Sequence, residues 1–203
     1  MNRVRVLTVL VTVVVVLAGS ILAASPALAI PITYTMTDTA TGSLGGSPFT
    51  DASLLLKMIN DTTNITDGPG FFANNGTATV SVNGSAPVTF THTIQVSSNQ
   101  APIPGPAVSF ADEPGGAIIL GSLSSGFAGY ALATAIGPIT GSAGINPGFS
   151  YPTTGGPFIL DSVGSAVVFT ATTATAVPEP ASLVLLGTAL LGLVGFARRK
   201  TSR

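Results

Sequence analysis

The chain has 203 residues, a formal net charge of −1, no cysteine, no tryptophan and a single histidine. Six of its seven basic residues stand at the two ends, so Ile30 to Val177 carries Lys57 alone against seven acids, a net charge of −6. That balance gives the body no means of neutralising phosphates, which excludes nucleic acid, and it repels acidic polysaccharide and anionic lipid; the missing cysteines exclude a disulfide scaffold.

Arg3 and Arg5 open the chain, followed by the apolar run Val6–Ala18 and by Ser25-Pro26-Ala27-Leu28-Ala29. Basic charge, a short apolar core and small residues at Ala27 and Ala29 predict a secretory signal peptide over 1–29, cut by signal peptidase after Ala29. The apolar core falls short of the roughly 20 residues of a spanning helix. The chain is expected to be exported.

The body follows, with 148 residues from Ile30 to Val177, enough to bury one core and to form one domain over 30–171. Its apolar residues repeat with period two: Ile32, Tyr34 and Met36 alternate with Thr33, Thr35 and Thr37; Ala78, Val80 and Val82 with Thr77, Thr79 and Ser81. Val88, Phe90, Ile94 and Val96 extend the same pattern through Thr89, Thr91, Thr93 and Gln95. Alternation of this kind marks half-buried antiparallel strands with threonine on the outer face.

Further strands are expected at Ser53–Ile59, Ala107–Ala111, Ala117–Leu120, Tyr130–Ile136, Pro157–Leu160 and Ala166–Thr172, while Ala52–Asn60 also admits a short helix. Turn signals separate them at Gly45-Gly46, Asp67-Gly68-Pro69-Gly70, Asn75-Gly76, Asn83-Gly84, Pro104-Gly105-Pro106, Pro114-Gly115-Gly116, Asn146-Pro147-Gly148 and Gly155-Gly156-Pro157. Asn83-Gly84 reads as a hairpin turn. Ser97–Pro106 and Gly137–Gly156 read as surface loops, and 172–176 as a spacer. Nine or ten strands and no long helix in the body predict an all-β, antiparallel β-sandwich of jelly-roll type.

The body offers little chemistry. His92, between Phe90 and Ile94, reads as a core or edge residue, and no Gly-x-Ser-x-Gly elbow supplies a nucleophile for it. Asp61-x-x-Asn64-x-x-Asp67-Gly68 is the best set of hard-oxygen ligands for calcium, but turns use the same residues, and no metal, cofactor or catalytic residue is assigned. Asp112-Glu113 is weaker. The four glycosylation-type sequons at Asn60, Asn64, Asn75 and Asn83 read as turns. Tyr34, Tyr130 and Tyr151 with ten phenylalanines form a thin aromatic set for a sugar platform.

The chain closes on VPEPASLVLLGTALLGLVGFARRKTSR, residues 177–203. Ala181–Ala197 is uncharged over 17 residues, and as a helix it covers about 25 Å, just enough for a bilayer core. Arg198, Arg199 and Lys200 act as the stop that stays cytoplasmic, leaving the body outside. Pro178 and Pro180 cannot continue that helix backwards, so Val177, Pro178, Glu179 and Pro180 are expected to stand extended above the membrane.

Val177-Pro178-Glu179-Pro180, the apolar run and the arginine stop together resemble the PEP-CTERM sorting signal of Gram-negative bacteria. The resemblance covers the last 27 residues, 177–203. It implies recognition by an exosortase, removal of the tail near Pro-Glu-Pro, passage through the inner membrane with the body in the periplasm, and delivery to the cell surface or exopolysaccharide matrix. The resulting expectation is a non-enzymatic surface or matrix protein whose partners are signal peptidase, exosortase and exopolysaccharide. A carbohydrate-binding module and a secreted glycoside hydrolase using paired carboxylates are the two alternatives.

Overall fold

The computed structural model describes residues 29–99 and 105–174. Thirteen strands follow one another: β1 (Pro31–Leu44), β2 (Ser47–Asp61), β3 (Ile65–Gly68), β4 (Phe71–Gly76), β5 (Ala78–Val82), β6 (Val88–Thr89), β7 (Ile94–Ser98), β8 (Ala107–Asp112), β9 (Ala117–Leu123), β10 (Ile136–Gly144), β11 (Ser150–Thr153), β12 (Gly156–Val163) and β13 (Ala166–Thr173). Short 3-10 turns lie at Thr62–Asn64 and Ser125–Phe127. The expected signal peptide up to residue 28 and the tail from residue 175 lie outside the described residues. Among the described residues no helix is long and apolar enough to cross a membrane.

The all-β, antiparallel expectation holds, but the strands form one continuous hydrogen-bonded sheet rather than two separate ones. Its order is β3-β4-β7-β8-β9-β10-β13-β1-β2-β5-β6, with β12 also on β1 and β11 on β12. The cause is β1. It pairs with β2 along its whole length, while on its other side Ile32–Thr37 faces β13 and Ala40–Leu44 faces β12. One strand therefore belongs to both halves of the body and ties them together.

The sheet curls until each of its ends meets a strand further along it. At one end the Thr91 N–H donates to Pro152 O at 3.0 Å and the Thr154 N–H to Thr89 O at 2.8 Å, bringing β6 onto β11. At the other, Asn60 Nδ2 donates to Asn74 Oδ1 at 2.6 Å and to Asn75 O at 2.7 Å, stitching the end of β2 to β4 by side chains. Edges left open in a flat sheet are thus covered.

The inner face holds the core, and its aromatics gather in two groups. Phe169 on β13 packs against Tyr34, Phe127 and Tyr130, with ring centroids 5.6–6.3 Å apart. Phe158 on β12 packs against Phe49, Phe90 and Tyr151 at 6.0–6.5 Å. Such pairs add to the area they bury. Beyond the Phe158 group the β1–β2 turn meets the β11–β12 turn glycine to glycine: Gly45 (φ +58) and Gly156 (φ +98) approach so closely that a Cβ on either would strike the other turn's backbone.

Several expectations change in detail. Ala52–Asn60 is strand, within β2. Asn83-Gly84 is the expected hairpin turn: both residues take positive φ, and the Ser85 N–H closes on Val82 O at 3.0 Å. Val88–Val96 is not one strand, because β6 pairs with β5 whereas β7 pairs with β4 and β8. The chain crosses between the halves at Thr91–Thr93. Tyr130–Ile136 is not a strand up to Ile136: Tyr130 Oη donates to Thr134 O at 2.9 Å, folding the segment around its own ring. Asn75-Gly76 is no turn but the end of β4, and neither β3 nor β4 was foreseen. Gly137–Gly156, read as loop, holds most of β10 and all of β11, and Ser97 and Ser98 belong to β7.

Candidate functional site

His92 sits at the crossover between β6 and β7, where no strand pairing fixes Thr91–Thr93, so its side chain stays 44% exposed. Asp112, at the end of β8, is only 5% exposed. The β7–β8 pairing brings them together: His92 Nδ1 lies 3.0 Å from Asp112 Oδ1 and 3.2 Å from Oδ2. A carboxylate only accepts, so Nδ1 carries the proton and Nε2 is left outside the bond. This is an imidazole oriented by a buried acid, but among the described residues no hydroxyl bonds to the ring, so a nucleophile is lacking. Sequence reading missed the pair because twenty residues separate its members; neither alternation nor spacing carries that contact.

Beside this pair stands Phe149, 41% exposed, its ring 5.0 Å from Tyr151. The tyrosines themselves are all buried. Tyr34 Oη donates to Leu132 O at 2.8 Å, Tyr130 to Thr134 O and Tyr151 to Ile118 O at 2.7 Å. Burial pushes the Tyr34 phenol up to about 12 against the pull of the Asn74 hydrogen bond. Burial raises Tyr130 and Tyr151 as well, with Tyr34 and the Asp112 charge adding respectively. None of the three offers a face to a sugar.

The aromatic rings near the surface are phenylalanines. A cleft of about 690 Å³ is lined by Phe71 and Phe72 of β4, Asp67 of β3, Asn99 and Gly129. Rings beside a carboxylate and an amide suit a neutral, hydroxyl-bearing ligand better than an ionic one.

The Asp61–Asp67 set does not converge. Asp61 Oδ1 accepts from the Thr63 N–H and hydroxyl, both at 2.8 Å, and Asn64 Nδ2 donates to Asn60 Oδ1 at 2.8 Å. Asp67 lies on β3 opposite Phe72. These are capping bonds of a turn, and among the described residues no group of three or more His, Cys, Asp or Glu gathers as metal ligands would. Glu113, named with Asp112, donates its N–H to Thr93 O at 3.1 Å and belongs to the β8–β9 connection.

A second, smaller cleft of about 430 Å³ opens where β1 passes from β13 to β12, lined by Asp38, Thr37, Thr39, Ser53 and Ser165. Asp38 Oδ1 accepts from the Thr39 N–H at 2.7 Å, while Oδ2 is buried without a partner. Burial pushes this carboxyl up, opposed by the Thr39 N–H. Asp38 continues the inner series Ile32, Tyr34, Met36 and precedes Ala40; that interruption of an apolar period was visible in the sequence.

The chain enters and leaves the body at one place. Ile32 pairs with Thr173, Pro31 with Asp61, the Ala174 N–H donates to Pro31 O at 2.9 Å, and the Thr62 N–H to Ile30 O at 3.1 Å. Ala29 is exposed just before this point, and Ala27 lies outside the described residues. So do Val177, Pro178, Glu179 and Pro180, and Arg198, Arg199 and Lys200.

The described body is all-β and antiparallel, and its last described residues lie beside its first strand. Residues 176–200 match the family model of the PEP-CTERM protein-sorting motif, so this chain bears a PEP-CTERM sorting signal. The match takes in Pro178-Glu179-Pro180, the apolar run and Arg198-Arg199-Lys200. It implies exosortase-dependent sorting of an exported protein to the cell surface. No curated protein and no solved structure matches the chain.

Proposed function

We propose that the body is a non-enzymatic component of the cell surface or exopolysaccharide matrix, held in the inner membrane by residues 181–197 until exosortase releases it near Val177–Pro180. The carrying observation is the sorting motif at 176–200. The inward use of polar groups supports the non-enzymatic part: Asn74, Tyr34 and Asp61 satisfy one another or the backbone and present no reacting atom. With one lysine against seven acids, the body associates with a matrix through neutral groups and not through charge.

The Phe71–Phe72 cleft favours a second reading, a carbohydrate-binding module for neutral glycans, with the phenylalanine rings in the role the buried tyrosines cannot take. Deleting the exosortase tests the first reading. The protein should then stay in the inner-membrane fraction, whereas in its presence the released form should lack residues 181–203 by intact mass. Released protein that still contains Leu183–Lys200 overturns it, and a plain anchor replaces the sorting signal.

A further inference from the structure

We propose that the end of the body formed by Pro31, Asp61–Asn64 and Ala174 is the surface against which the membrane-embedded exosortase docks while it removes the tail. The inference rests on the sorting reading and adds to it a face of the body.

Among the described residues Ala174 is the last one tied to the sheet, through its N–H to Pro31 O. Val177 comes three residues later, and three fully extended residues span at most about 11 Å. Ala181, where the apolar run begins, is seven residues on, at most roughly 25 Å away. A headgroup layer takes about 5–8 Å of that on each side of the bilayer. Before processing, this end of the body therefore stands within some 20 Å of the membrane surface. An enzyme cutting at Val177–Pro180 must fill that gap and meet the strand ends above it.

The surface it meets is prebuilt. The Asp61 carboxylate holds both the N–H and the hydroxyl of Thr63, and Asn60 accepts from Asn64 while donating to Asn74 and Asn75. Thr63 and Asn64 are exposed. The turn 61–64 is acidic and holds hydroxyls and amides without any basic side chain; Lys57, the one cation of the body, stands away from it along β2. Anionic lipid repels such a surface, which leaves the gap to a protein partner presenting donors or cations. The β1–β2 turn at Leu44–Ser47 lies a whole strand length away, roughly 40 Å at 3.3 Å per residue.

Photo-crosslinking in the full-length protein decides the matter, with a photoreactive residue at Thr63 or at Ser47 and a tagged exosortase in the same cells. The Thr63 adduct with exosortase should exceed the Ser47 adduct several-fold. It should drop when a Gly/Ser insert of about twelve residues, adding roughly 20 Å of mean reach, is placed after Ala174. Equal adducts at both positions, or none at Thr63 while the tail is still removed, overturn the docking face alone. A tail never removed from the unmodified protein overturns the sorting reading, and the docking face with it.

Discussion

Asn74, fully buried on β4, donates from Nδ2 to Tyr34 Oη on β1 at 3.1 Å. The same Nδ2 reaches Asp61 O at 3.1 Å, and Tyr34 passes its own proton on to Leu132 O at 2.8 Å. One amide and one phenol thus lock β1, the end of β2, β4 and the Tyr130–Thr134 segment around a polar point inside the core. Replacing Asn74 by Leu leaves Asp61 O and Asn60 Nδ2 short of partners, at a cost of about 1–3 kcal/mol. Tyr34→Phe should cost a similar ~1–3 kcal/mol, since it strands the Leu132 carbonyl. Urea denaturation of both single variants and the double variant should show the two losses to be less than additive. Strict additivity would mean that the network does not act as a unit.

Alkali should unfold this protein through its tyrosines. A phenol in the unfolded chain ionises near 10, whereas Tyr34 in the fold is pushed up to about 12 and Tyr130 and Tyr151 are raised too. The folded state then binds more protons than the unfolded one. The stability owed to these groups is fully present below about pH 10 and is lost as pH rises toward 12 and beyond. Phenolate absorbance should therefore appear together with loss of β-sheet circular dichroism. Absorbance rising along an ordinary tyrosine curve while the fold persists would show the phenols to be accessible.

Asp38 works in the opposite pH range. Its carboxyl is raised by burial, so its stabilising contribution is complete below the ordinary carboxylate range and lost as pH climbs through the raised value. Asp38→Asn removes the charge that Oδ2 cannot place. The variant should melt higher than the parent at neutral pH, and the difference should shrink at acid pH. A lower melting temperature at neutral pH would mean that the charge itself holds the β1 fork.

Removing His92 exposes the cost of the buried acid. His92→Ala leaves the Asp112 carboxylate, only 5% exposed, without the ring that meets both of its oxygens. The expected loss is about 1–3 kcal/mol, and removing both partners should recover part of it. Thermal melts of His92→Ala, Asp112→Ala and the double variant measure this. A double variant no better than the worse single would place the loss elsewhere.

On the proposed reading, Glu179→Ala should leave insertion intact, because insertion would depend on Ala181–Ala197 and on the arginine stop. Processing should fail instead, keeping the protein in the inner-membrane fraction at its higher mass. Normal release of the variant would remove Glu179 from the recognised motif.

Period-two alternation located β1, β5 and β13 because their inner residues pack on a single core face. The same rule failed where the face changes. Phe90 and Ile94 keep perfect alternation across Thr91–Thr93, yet they serve opposite halves of the sheet, and a local period has no term for that. Tyr130–Ile136 has strand-forming residues, but its ring bonds back onto Thr134, and Leu132 takes φ +62 to offer its carbonyl to Tyr34. Nothing in sequence marks that choice. The sorting signal was legible because its parts are contiguous: two prolines, a charge-free run and three basic residues need no partner elsewhere in the chain. The His92–Asp112 pair and the Phe71–Phe72 cleft exist only once distant strands have met.

The double life of β1 sets a timetable. The first strand of the body along the chain is the one whose neighbours on its open side, β12 and β13, come last. Until they follow, β1 keeps an unpaired edge and the ribbon it forms with β2 and β5 an uncovered apolar face, a state prone to pair with strangers. Completion of the fold therefore waits on the last strands of the body, and a chain cut short before β12 would be an aggregation hazard and not a smaller working protein.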